Sequence, residues 1–179
     1  IRYRSRHSAE PLFRSASNAK SMNDYTTRPS VIENLGTLKI MNGTMTANSK
    51  QPAINTGTGD VIIEDVTISH IGTSGENVKQ AITLHSGTLT ITGNSALSAN
   101  NSGAYGGYSR AVIQVISGTA KILGGTITSA TGPAIVNQAA GTLILGEKDG
   151  TAGNTTPVIR GKTYGVDTSR AGSTFNFYD

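Results

Sequence analysis

Residues 118–145 decide the fold. They read Gly118-Thr119-Ala120-Lys121-Ile122, then Gly125-Thr126-Ile127-Thr128, then Pro133-Ala134-Ile135, then Gly141-Thr142-Leu143-Ile144-Leu145. The first and last are the same segment, a Gly-Thr followed by apolar residues at alternate places, and 23 residues separate Gly118 from Gly141. Period-two alternation is the mark of a strand with one buried face. The segment recurs upstream as Gly36-Thr37-Leu38-Lys39-Ile40 and Gly87-Thr88-Leu89-Thr90-Ile91, with Gly59-Asp60-Val61-Ile62-Ile63 as a variant. In each, the second and fourth residues after the glycine are expected inside.

Two further strands accompany this anchor. Met45, Ile68 and Ile127 follow Leu38, Val61 and Ala120 by seven residues. An Ala-Ile type segment precedes the anchor in Pro52-Ala53-Ile54, Ala81-Ile82, Val112-Ile113 and Pro133-Ala134-Ile135, and Pro157-Val158-Ile159 fits the same pattern. Repeats of this length mark stacked architectures. Three short strands, each with one apolar face, bury those faces by wrapping into a three-sided tube whose coils stack about 4.8 Å apart. The expected fold is therefore all-β: a single-stranded parallel β-helix (solenoid) of about six coils of three short strands, spanning residues 31–179. Propellers and sandwiches use evenly repeated two-residue hairpin turns, whereas this chain has only Asn42-Gly43 and Asp149-Gly150. The anchor glycines at 36, 59, 87, 118 and 141 give spacings of 23, 28, 31 and 23. The two enlarged coils are consecutive, and both place their extra residues between the second strand and the Ala-Ile strand.

Composition agrees. Thr (24), Gly (22), Ser (18) and Asn (13) dominate, Trp is absent and Ile (17) outnumbers Leu (9), as in β-sheet with many turns. With no Cys there are no disulfides, thiol nucleophiles or cysteine-ligated metals. No apolar run approaches the roughly 20 residues of a membrane span. The net charge of +4 is concentrated in residues 1–30, where Arg2, Arg4, Arg6, Arg14, Lys20 and Arg28 face Glu10 and Asp24. Ile1-Arg2-Tyr3-Arg4-Ser5-Arg6-His7 alternates, which suits a basic N-terminal cap or arm. It lacks the aromatic interleaving that would stack bases, so nucleic acid is a weak candidate partner. A chain beginning at Ile1 reads as part of a larger protein.

Gly-Thr-Leu-x-Ile, Gly124-Gly125-Thr126-Ile127-Thr128 and Pro133-Ala134-Ile135-Val136-Asn137 together resemble the right-handed parallel β-helix (pectate-lyase-like) repeat regions of bacterial cell-surface and adhesin-like proteins. The resemblance spans residues 31–179. It implies right-handed winding, secretion to an extracellular or cell-surface location, and a role as stalk, adhesin or glycan-contacting module. It transfers no catalytic residue, because only core and corner positions match.

The chemistry that can be sought in the residues is sparse. A polysaccharide hydrolase or lyase of this fold needs carboxylates converging on one outer face or calcium-binding carboxylates on neighbouring coils. Asp60, Glu64 and Asp65 are the only cluster, and the register spreads them over a strand and a corner. His7, His70 and His85 lack partners at metal spacing, so each is expected to be a surface residue and neither a metal nor a cofactor is called for. Thr44/Thr46, Thr67/Ser69 and Thr126/Thr128 would stack as an outward hydroxyl ladder of the kind that templates ice. The enlarged coil is expected to interrupt it at Ser95 and Ser98. Asn42-Gly43-Thr44, Asn100-Asn101-Ser102 and Asn154-Thr155-Thr156 match the glycosylation sequon, as chance allows in so Asn- and Thr-rich a chain.

The expected function is a non-enzymatic surface module, structural or adhesive, with a carbohydrate-active enzyme and an ice-binding protein as alternatives. Recognition is expected in loops 70–80 and 99–110, which stacked coils would project side by side from one corner. They carry His70, Glu76, Lys79, Tyr105, Tyr108 and Arg110, side chains suited to a glycan or a host protein epitope.

Overall fold

A computed structural model describes residues 32–47, 51–71, 80–100, 111–147 and 156–178. Among these there is no helix. Thirteen strands form one sheet in which every pairing is parallel, and the sheet is not a closed barrel. In chain order they are β1 (Ile32–Asn34), β2 (Leu38–Ala47), β3 (Ile54–Thr56), β4 (Val61–Ile71), β5 (Ile82–Leu84), β6 (Thr88–Thr92), β7 (Ala96–Asn100), β8 (Ile113–Ile122), β9 (Thr126–Ser129), β10 (Ile135–Leu145), β11 (Val158–Arg160), β12 (Val166–Asp167) and β13 (Thr174–Phe177).

The pairings resolve into three ladders. In the first, Ile32, Ile54, Ile82, Ile113, Ile135 and Val166 lie in successive register. The second carries the Gly-Thr anchor, and runs Leu38, Val61, Leu89, Ala120, Leu143, Phe175 beside Ile40, Ile63, Ile91, Ile122, Leu145, Phe177. In the third, Met45, Ile68, Leu97, Ile127 and Ile159 stand above one another. The expected alignment of the anchor strands is met residue for residue. Ile40, Val61, Ile63, Leu89, Ile91, Ile122, Leu143 and Leu145 are all buried, and Leu38 packs against them from the first rung.

Several of the expected short strands are continuous. β2 and β4 each carry an anchor segment and a third-ladder segment through a corner where Asn42 (φ 50°) and Asp65 (φ 53°) take the left-handed conformation. Asn and Asp accept that geometry better than other side chains. β8 and β10 likewise join the first ladder to the second, β10 with a bulge between Asn137 and Ala140.

One strand assignment needs correcting. Val158–Arg160 pair with Thr126–Thr128 of the third ladder, so Pro157-Val158-Ile159 is not an Ala-Ile segment; Gly165-Val166 fills that place. The glycines at the entry to the anchor strands have a steric role. A Cβ on Gly59, Gly87 or Gly118 would run into the carbonyl oxygen of the anchor glycine one rung earlier. In the rung of β13, Phe175 and Phe177 occupy core columns yet are 43% and 63% exposed. Residues 1–31, and with them the expected basic cap, lie outside the described residues.

Candidate functional site

The two enlarged segments leave and return at neighbouring rungs. β4 and β7 pair to their ends through His70 with Ala99 and Ile71 with Asn100. The chain re-enters the first ladder at Ile82 and Ile113, which also pair. Glu76, Lys79, Tyr105, Tyr108 and Arg110 lie outside the described residues. Of the expected site residues, His70 is therefore the one the structure places.

His70 is not the surface residue expected. It continues the alternation of β4 two places after Ile68, and its side chain is 0% exposed. Its column neighbours are Ala47 below and Ala99 above, small residues that leave room for an imidazole. Nε2 lies 2.9 Å from the Gln51 carbonyl oxygen. His70 thus ties the chain after β2 to the core and presents no face to a ligand. Replacing it by Ala removes the partner of a carbonyl and leaves a cavity, so His70→Ala should cost about 2–4 kcal/mol in a denaturant melt. A loss under about 0.5 kcal/mol would return the ring to the surface.

The three carboxylates do not converge. Asp60 Oδ1 accepts the Thr88 N–H at 2.9 Å, and Asp65 Oδ1 accepts the Asn94 N–H at 2.8 Å, each bracing the following rung. Glu64 lies 3.8 Å from Lys39 Nζ, an exposed pair that contributes little to stability. Among the described residues no group of three or more His, Cys, Asp or Glu could hold a metal.

His85 is exposed, as expected, and joins a polar string across three rungs that spacing alone did not reveal. Its Nε2 lies 3.1 Å from Asn55 Oδ1, and Asn55 Nδ2 donates to Glu33 Oε1 at 2.7 Å. The signal available was the polar column Glu33, Asn55, Thr83, which alternates with the core column although Thr83 itself is buried, with His85 two residues beyond its third member.

The hydroxyl ladder is more regular than expected. The extra residue of the third rung is absorbed in the corner at Gly93-Asn94-Ser95, where Gly93 has φ 63°. Ser95 turns inward there: its Oγ donates to the Thr92 carbonyl at 2.8 Å and accepts the Val66 N–H at 3.3 Å. Ser98 therefore stays in register with Ser69 and Thr128, and its Oγ donates to Ser69 Oγ at 3.4 Å. Four rungs present Thr44/Thr46, Thr67/Ser69, Ala96/Ser98 and Thr126/Thr128, before Val158/Arg160 ends the pattern.

No family model matches the chain, and the comparisons with curated proteins and with solved structures likewise return no match. Among the described residues no helix is long and apolar enough to cross a membrane.

Proposed function

We propose that this chain is a non-enzymatic, extracellular surface module of bacterial adhesin-like type, wound as a single-stranded parallel β-helix of about six coils. The resemblance noted in its repeats supplies the right hand and the cell-surface location. The observation carrying the proposal is the paired departure and return of the two enlarged segments at consecutive rungs. Two segments that leave and re-enter a parallel stack at consecutive rungs suit a recognition role, since function concentrates in loops held by a rigid frame. The ligand class is a glycan or a host or cell-surface protein, met through loops 70–80 and 99–110. Glu76, Lys79, Tyr105, Tyr108 and Arg110 are the contacts, and His70 anchors one loop base.

The test is an array of glycans and host proteins probed with the parent and a Tyr105→Ala/Tyr108→Ala variant. Specific binding is expected, weakened by about tenfold or more in the variant, on the order of 1–3 kcal/mol. Unchanged affinity would move the site away from these loops. The two carboxylates that bond to backbone N–H groups favour this reading over polysaccharide hydrolysis or elimination, and specific turnover of pectin or alginate would overturn it.

The regular hydroxyl face supports ice binding as a second reading. Among the described residues its columns are four rungs long and carry Ala96 in the third, so the module reading stands first. Inhibition of ice recrystallisation that is lost in Thr67→Tyr would reverse that order.

A further inference from the structure

Asn42-Gly43 is the one Asn-Gly pair in the chain. Asn42 is exposed and turns the corner between the second and third ladders at φ 50°, between the register pairs Met41 with Glu64 and Gly43 with Val66. We propose that this corner is a site of spontaneous deamidation through a cyclic imide.

The backbone nitrogen of Gly43 loses its proton and attacks Cγ of Asn42. The N–Cγ bond forms, the Cγ–Nδ2 bond breaks, and nitrogen leaves as ammonia. Water then opens the ring. Breaking the new N–Cγ bond leaves an ordinary aspartate in place of Asn42; breaking the original peptide C–N bond leaves isoaspartate, with the chain routed through the former side chain. Glycine at the attacking position offers no Cβ to obstruct ring closure. The other exposed asparagines among the described residues, Asn94 and Asn100, precede Ser95 and Asn101, which do.

The fold has room for both products. Asp is already the native residue at the equivalent corner one rung on, where Asp65 holds φ 53°. Isoaspartate lengthens the backbone by one atom, and the same corner in the third rung accommodates a whole additional residue between Thr92 and Ala96. Conversion lowers the net charge by one from +4. It sets a carboxylate one rung, about 4.8 Å, from Asp65, so the modified corner is electrostatically less favourable than the parent.

The intact protein is incubated in mildly alkaline buffer, digested and analysed by mass spectrometry, with isoaspartate detected by enzymatic methylation. Asn42 is expected to convert about tenfold faster than Asn94 and Asn100 in the same sample, equal to about 1.4 kcal/mol in barrier. Both aspartate and isoaspartate should be present. Gly43→Ala should bring the rate down to that of the other two, and its fold is checked by circular dichroism; its register partner one rung on, Val66, carries a side chain. Conversion at Asn42 no faster than at Asn94 in the folded parent would overturn the proposal, and so would a Gly43→Ala protein that converts at the parental rate.

Discussion

Ile91→Asp is expected to destabilise the protein by on the order of 4 kcal/mol or more, because it places a carboxylate where no partner exists to receive it. Ile91 is 0% exposed and stacks between Ile63 and Ile122 in the middle of the second ladder. Its apolar burial alone is worth about 1.5–3 kcal/mol, and the penalty for a buried charge is added to that loss. In a thermal melt the midpoint should fall by roughly 10 °C or more, if the variant folds at all. The neighbouring Thr90→Asp supplies the control. Thr90 is on the opposite side of the same strand and only half-buried, so its replacement should cost under about 1 kcal/mol. Equal melts for the two variants would mean that the alternation of β6 is inverted.

The second large effect is expected at Gly87, where two independent costs fall on one substitution. Gly87 has φ +79°, a conformation that costs an ordinary side chain about 1–2 kcal/mol. The Cβ of alanine there would also collide with the Gly59 carbonyl oxygen, which belongs to backbone and cannot swing aside. Gly87→Ala should therefore lose about 3–5 kcal/mol, measured by denaturant unfolding. Gly36 stands in the same column at the first described rung, and a Cβ there meets nothing within 4 Å among the described residues. Gly36→Ala should be nearly silent, within about 0.5 kcal/mol. A neutral Gly87→Ala would show that the anchor glycines do not stack.

The same glycines explain why so much of the fold was legible. Alternation identifies a strand, but the recurring glycine, which at Gly59, Gly87 and Gly118 must admit its neighbour's carbonyl, also marks where each rung begins, so the spacing of Gly36, Gly59, Gly87, Gly118 and Gly141 predicted the register of the second ladder. Alternation does not say which ladder a strand joins. Pro157-Val158-Ile159 has the same pattern as Pro133-Ala134-Ile135, and residues inserted after Leu145 delayed the third-ladder strand until it occupied the place where an Ala-Ile segment was due. The site was less legible because its chemistry depends on where strands stop. His70 reads as the first residue of the loop 70–80, yet β4 runs on to Ile71 and carries the ring into the core, where the small side chains of Ala47 and Ala99 make space for it. That space is a property of rungs 23 and 29 residues away, His70 being paired with Ala47 and Ala99, and is visible only once the register is known.

The parallel joining of adjacent rungs at the stated register underlies the whole fold, and the absence of native cysteine allows a direct chemical reading of it. Thr90 and Lys121 are register partners on the outward side of the second ladder, and Ile144 is the partner of Lys121 one rung further on. Adjacent rungs place Cα atoms about 4.8 Å apart, inside the disulfide window of about 4.4–6.8 Å, whereas two rungs place them about 9.6 Å apart and outside it. Mild oxidation of the folded Thr90→Cys/Lys121→Cys protein should give an intramolecular disulfide in nearly every molecule, and the Thr90→Cys/Ile144→Cys protein should give none. The reverse pattern, or cross-linking in neither protein, would contradict the stacked register.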